Sequence, residues 1–404
     1  MLGYIEIYLI NVSANLQFSF LSALLLFFSH PGKAQDNSTL GYTKEGGNLT
    51  VDLSVGYDNN LYDSDSIIEN SAFLLPTFGL AFVSNQEVFG VNAGYEYNSF
   101  IPDKSVDIAQ SSTVYVDSYW SPTSKNRLSL AASINRADEK RGEGLTENNP
   151  FSVEQLDQLT LSALTLGYKF QPSLQNSMFL NLEHIDNHRT YRSGRTDALD
   201  VNFEQNGTRI SVGYLWESNK QIALATNKTT LLYPDASSNT KDSEDQLTSL
   251  SLAWPLTNNS TVLLAVGSDE KHFINTNEVQ TADYWSAVWS WNPLSHIGFS
   301  IATEQEQKPA RRAGETFIEE GVVKLAWSHV WSVDYLTVLE LRKVETRSIT
   351  ISSVDVEKNM RVALSNYYRD FELSFSVEQD EATASTKAFS QVELLLSYSF
   401  GGGF

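Results

Sequence analysis

The chain contains no cysteine, which excludes a disulfide framework and a thiolate metal centre and suits a protein that crosses an oxidising periplasm before folding. Long apolar runs are missing too. The one strongly hydrophobic stretch, Phe18–Phe28, falls short of the roughly 18–20 residues a membrane helix needs, so a bundle of membrane helices is excluded. Basic residues are scarce, with Lys+Arg 28 against Asp+Glu 49 and a net charge of −21. A nucleic-acid partner is therefore not expected, because phosphate binding needs a basic footprint. Most of the acids fall in connecting segments, where they keep loops soluble or draw cations to a mouth.

Catalytic motifs are absent as well. There is no Gly-rich phosphate loop, no G-x-S-x-G elbow and no suitable Ser/His pair. Of the six histidines only His184 and His188 are close, at i and i+4; at the top of a strand this spacing marks a surface pair rather than a metal site. The Asp58–Asp65 stretch lacks the ligand spacing and glycine of a calcium loop. No enzyme activity, cofactor or metal is expected.

The apolar run Phe18–Phe28 matches the core of a signal peptide, and Gly32 and Ala34 stand before a plausible cut at Gln35. Residues 1–34 are read as that peptide, although no Lys or Arg precedes the run. Residues 35–46 form a short periplasmic segment, and 47–404 a barrel.

What the chain has in quantity is alternation. Leu49, Val51, Leu53, Val55 and Tyr57 alternate with Asn48, Thr50, Asp52 and Ser54; Phe89–Tyr97, Thr208–Trp216 and Val392–Phe400 repeat the pattern. A side-chain period of two over this length is a strand. Short polar turns recur at Ser84–Glu87, Ser121–Asn126, Gln171–Asn176, Glu217–Lys220, Pro255–Ser260, Asn292–Ser295, Val330–Asp334 and Arg369–Asp370. Between them lie longer charged connections, among them Asp58–Ser71, Ala137–Asp157, Asp186–Gly207, Ser268–Asp283 and Glu304–Glu315. Sorting of loops by length and parity is the mark of a transmembrane barrel. Beside the short turns stand Trp120, Tyr168, Trp216, Trp254, Trp291, Trp331 and Tyr368, the expected periplasmic aromatic girdle. The fold class is thus all-β: an antiparallel outer-membrane β-barrel of about 18 strands with both termini periplasmic.

If apolar faces point to lipid, the lumen lining includes Asp52, Glu96, Tyr115, Asp117, Tyr119, Asn181, Glu183, Arg209, Lys324, Glu340, Arg342, Arg361, Glu372 and Glu393. Mixed charge with tyrosine suits a hydrated path for polar solutes. Several long loops carry bases: Arg136, Lys140 and Arg141; Arg189, Arg192 and Arg195; Lys308, Arg311 and Arg312. These are candidates to contact lipopolysaccharide phosphates or anionic polysaccharide.

From about Leu49 onward the chain resembles a β-barrel porin family whose members sit in exopolysaccharide gene clusters. The likeness lies in V-G-Y-D-N-N-L-Y at Val55–Tyr62, L-P-T-F-G-L-A-F at Leu75–Phe82, the hairpin at Tyr95–Asn98, the strand Leu128–Arg136 with its exit A-D-E-K-R-G, and Leu159–Phe170. The resemblance implies an outer-membrane pore taking part in export of a surface polysaccharide made by a Wzx/Wzy-type pathway, as conduit or accessory. It also implies outer-membrane lipid, polysaccharide and a periplasmic or inner-membrane polysaccharide copolymerase as partners. One rival is a general or sugar-selective diffusion porin, which calls for a constricting loop folded inward, with Asp186–Gly207 as the candidate. A second is a structural or adhesive barrel with a filled lumen, which calls for bulky or paired inward residues at mid-height. Residues 35–46 are too few to plug a TonB-dependent transporter.

Overall fold

Alternation of apolar and polar residues becomes eighteen strands. The first nine are β1 (Gly46–Asp58), β2 (Ser71–Asn85), β3 (Phe89–Pro102), β4 (Ala109–Thr123), β5 (Asn126–Asp138), β6 (Gln158–Phe170), β7 (Ser177–Arg192), β8 (Phe203–Leu215) and β9 (Gln221–Leu232). The rest are β10 (Ser243–Thr257), β11 (Ser260–Phe273), β12 (Val279–Leu294), β13 (Ile297–Pro309), β14 (Phe317–Ser332), β15 (Tyr335–Ile349), β16 (Val354–Tyr368), β17 (Phe371–Ala382) and β18 (Ala388–Gly403). The computed structural model describes residues 45–62, 69–104, 107–141, 145, 155–173, 176–192, 196–216, 220–236, 239–310, 315–350, 354–382 and 388–403. The expected signal peptide lies outside the described residues.

Every strand pairs antiparallel with its chain neighbours, and β18 returns to β1 from Asn48↔Gly403 to Asp58↔Glu393. The sheet is therefore closed and leaves no open edge. Residues paired across a ladder share a face, so one side assignment runs through all the strands. On β1, Val51, Leu53, Val55 and Tyr57 are exposed while Asn48 and Ser54 are buried. At the closing seam Ser54 Oγ and Ser397 Oγ meet at 2.8 Å on the inner face, and Leu53 pairs with Tyr398 on the outer one.

Apolar exposure belongs to the outer face: Phe78, Leu80, Leu224, Val266, Val362, Leu373 and Leu396 are each at least 39% exposed. An apolar belt outside and polar side chains inside are the signature of a barrel spanning the bacterial outer membrane, where lipid covers what water would reject. Following paired residues once around the sheet returns to β1 displaced by about 22 positions, a strand tilt of about 40°. With strands about 4.8 Å apart the backbone radius is about 18 Å, wide enough for an aqueous bore.

Connections divide between two rims. Turns such as 124–125, 258–259, 333–334 and 369–370 join even-numbered to odd-numbered strands and sit on the rim where β1 begins and β18 ends. The other rim carries 59–70, 139–157, 193–202, 233–242 and 310–316.

Three expected long loops are shorter than the sequence suggests. Of Ser268–Asp283 only 274–278 lies between strands, because β11 runs to Phe273 and β12 starts at Val279. Half of Glu304–Glu315 is strand, since β13 runs to Pro309. Asp186–Gly207 shrinks to 193–202, which holds the short helix α1 (Thr196–Leu199). The physical reason is common to all three. These strands project past the apolar belt, and there the outer face turns polar although the ladder continues.

Candidate functional site: the lumen and its mouth

Register places Asp52, Glu96, Tyr115, Asp117, Tyr119, Asn181, Glu183, Arg209, Lys324, Glu340, Arg342, Arg361, Glu372 and Glu393 on the inner face. Their charges are sorted by sector. Glu372, Glu393, Asp52, Glu96 and Asp117 belong to β17, β18, β1, β3 and β4. Lys324, Arg342 and Arg361 form one row, each directly paired with the next across β14, β15 and β16. Like charges directly opposite repel, and carboxylates beside the row offset this: Lys324 Nζ lies 2.9 Å from Glu340, and an Arg361 nitrogen 3.8 Å from Glu393. Sequence parity finds these residues but not their pairing.

Four inward rings, among them Phe73 over Gly56, lie flat on the wall instead of crossing the bore, each over a glycine. A Cβ on Gly94 would stand 2.7 Å from the Tyr115 ring, one on Gly90 2.2 Å from Tyr119, and one on Gly213 2.3 Å from Phe179 and 2.5 Å from the Ile222 carbonyl. Phe179 is buried to 4% exposure in this way. Gly213→Val is expected to destabilise the barrel by about 1–3 kcal/mol through overpacking, read as a lower midpoint of heat-induced mobility change on electrophoresis.

The long-loop rim is tied together at the mouth. Ala198 and Val201, each 0% exposed, pack on Leu159 and Tyr191 of the inner wall. Leu231, Tyr233 and Ala310 form a second apolar cluster, with Phe203 against it. Arg189 joins the two: its Nε donates to the Val201 carbonyl at 2.8 Å, its terminal nitrogen to the Ala310 carbonyl, and its guanidinium lies 4.7 Å from the Phe203 ring centre. The Ala310 amide donates to the Tyr233 hydroxyl at 3.2 Å. Burial pushes that phenol up to about 12, which keeps it neutral. Lys241 Nζ donates to the Asp200 carbonyl at 3.1 Å, and Asn202 Nδ2 to Asp235 at 2.9 Å. Residues 200–202, Tyr233, Asp235, Lys241 and Ala310 thus hold one another.

Arg189 corrects an expectation. It is not a solvent-exposed loop base but a half-buried inward residue of β7 at the mouth, because β7 runs on to Arg192. Lys308 likewise belongs to β13, 2.9 Å from Glu306 and 2.7 Å from Glu320. Arg136 is at the outer face of β5 and Arg192 is exposed at the end of β7. Lys140 Nζ stands 4.3 Å from the Phe100 ring centre and Arg141 pairs with Asp107. Arg195, Arg311 and Arg312 lie outside the described residues.

Trp120, Tyr168, Trp216, Trp254, Trp291, Trp331 and Tyr368 sit on the outer face at the short-turn rim. Some rings touch there, Trp291 stacking on Phe299 at 5.6 Å and Trp216 meeting Trp254 at 6.4 Å. His184 and His188 both fall on the outer face of β7, with His188 Nε2 3.1 Å from Asp186.

No family model and no curated protein matches the chain. Solved structures do. A BenF-like porin from Pseudomonas fluorescens Pf-5 aligns at a TM-score of 0.50 with 11% identity, over 88% of this chain and 99% of its own. OpdK of Pseudomonas aeruginosa with vanillate aligns at 0.49 with 9% identity, over 88% and 99%. OccAB4 of Acinetobacter baumannii aligns at 0.47 with 10% identity, over 88% and 98%. At such identities the likeness to the BenF-like porin is one of fold, the closed outer-membrane barrel.

Proposed function

We propose that the protein is a diffusion channel for small polar solutes whose selectivity is set at the long-loop mouth. The observation that carries this reading is the segment 196–202 turned inward, with Ala198 and Val201 buried against the barrel wall. A constricting loop at this place is what a diffusion porin calls for. The fold is shared with a protein described as a porin. A filled structural barrel fits less well, because mid-height inward positions include Gly94, Ala163, Thr165, Gly207, Ser249 and Ala265, far too small to fill a bore of about 18 Å backbone radius. In this reading the short-turn rim faces the periplasm and the long loops face outward, towards lipopolysaccharide.

Purified barrel in planar bilayers is expected to show discrete conductance steps, and liposomes carrying it to swell in small neutral sugars but not in long oligosaccharides. A barrel silent to ions and sugars alike would sink the proposal. The acids of β17 to β4 favour cations in the bore, so a KCl gradient should give a cation-selective reversal potential. Asp52→Asn, Glu96→Gln and Asp117→Asn together should roughly halve the K⁺-over-Cl⁻ preference.

Export of a surface polysaccharide, implied by the family resemblance, is the second reading. It is favoured by the wall-mounted rings of Tyr115 and Tyr119, which suit sugar faces. A polysaccharide copolymerase would then meet the short-turn rim. Permeation of long oligosaccharides in the same swelling assay would select this reading over the first.

A further inference from the structure

Inward bases of this barrel keep acidic company. Lys271 pairs with Asp245, Lys308 with Glu306 and Glu320, Lys324 with Glu340, and Arg361 with Glu393. Two do not. Arg127 and Lys169 occupy the last inward positions of β5 and β6 before the short-turn rim, and they face each other directly across the ladder. Neither makes an ion pair among the described residues. In a chain of net charge −21 an uncompensated cross-strand pair of cations is costly, since like charges directly opposite destabilise a sheet.

Both are held by rings that are themselves fixed. The Arg127 guanidinium lies 3.9 Å from the Tyr119 ring centre, and Lys169 Nζ 5.6 Å from that of Phe179. Tyr119 Oη stands 2.6 Å from both Asn85 Oδ1 and the Gln86 carbonyl, and both rings rest on glycines, Gly90 and Gly213. A guanidinium stacked on a ring keeps its in-plane N–H donors directed outward, where they match the two oxygens of a carboxylate or phosphate. An ammonium on the neighbouring strand adds a second charge at cross-strand distance.

We propose that Arg127 and Lys169 form an oxyanion-binding subsite on the lumen wall at the short-turn rim, where a carboxylate or phosphate group of a small solute is held as it enters or leaves. This rests on the reading of the barrel as a solute pore. The oxyanion supplies the charge the wall lacks, and the rings keep both cations in place before it arrives. Passage requires the hold to be weak, and two charge-assisted contacts at a hydrated wall meet that requirement.

The test is calorimetric titration of the detergent-solubilised full-length barrel with D-glucuronate, D-glucose 6-phosphate and D-glucose, beside bilayer recordings of the same preparation. Binding of either anion but not of glucose is expected, and whichever anion binds identifies the group as carboxylate or phosphate. Arg127→Gln with Lys169→Gln should weaken that binding about tenfold or more. Lys125→Gln, in the adjacent turn, should leave it unchanged, and heat-dependent mobility on electrophoresis verifies that each variant is folded. Equal binding of glucose, or anion binding undiminished in the folded double variant, would overturn the subsite. A barrel that binds the anion but never conducts would overturn the pore reading alone. One that conducts without binding would overturn the subsite alone.

Discussion

Arg189→Ala is expected to loosen the mouth: single-channel conductance should rise and become noisier, and protease should gain access to the 193–202 and 233–242 connections. The argument follows from what the guanidinium does. It satisfies the Val201 and Ala310 carbonyls, which come from two different connections, and covers Phe203. Alanine leaves both acceptors without that donor in a site where Ala198, Val201 and Ala310 are 0% exposed. A buried polar group left unpaired costs about 1–3 kcal/mol; two such losses exceed what so short a connection retains against its own ordering entropy. The barrel wall does not depend on this clasp, so the heat midpoint of the whole protein should move little. Unchanged conductance and unchanged protease resistance would show that the connections hold their place without Arg189.

The second large effect concerns sidedness. Leu53, 49% exposed on the outer face of the closing seam, should tolerate arginine poorly. Leu53→Arg is expected to cost about 2–4 kcal/mol when the barrel folds into lipid, since that is the penalty for a guanidinium near the membrane midplane. Asp52→Asn, one residue away but inward, removes no packing and eases repulsion with Glu96, so it should not destabilise the barrel. Refolding into liposomes across a urea series measures both. Equal effects at the two positions would mean that the inner and outer faces have been assigned wrongly.

Much of this fold is legible in the amino-acid order. Alternation marks the strands, and a one-residue slip would turn every lipid-facing side chain of a strand to water; register is therefore strongly specified. Alternation fails as a guide where the lipid ends. Strands β7, β11, β12 and β13 continue beyond the apolar belt with polar residues on both faces, such as Asp186 and His188 outside and Asn187 and Arg189 inside. Composition there resembles a loop, and Arg189 resembles a loop base. Parity alone would have placed it, had the strand been extended to Arg192.

The candidate site is less legible, because its chemistry lies between strands. Nothing along the chain tells that Lys324, Arg342 and Arg361 stand in one row, or that Arg127 faces Lys169, since each pairing depends on the register of a ladder. The mouth depends on contacts longer still: Arg189 and Ala310 are 121 residues apart.

The seam between β1 and β18 bears on how the protein is made. Ser54 and Ser397, separated by 343 residues, meet only once β18 is in place. Until then β1 and the latest finished strand each present a bare ladder of amides and carbonyls, a template for pairing with other chains. β18, pairing with both β17 and β1, is thus the strand that removes both edges at once. Biogenesis has to keep the whole polypeptide apart from its neighbours for the time that takes, and a chain stopped before Ala388 would carry two permanent edges into the periplasm.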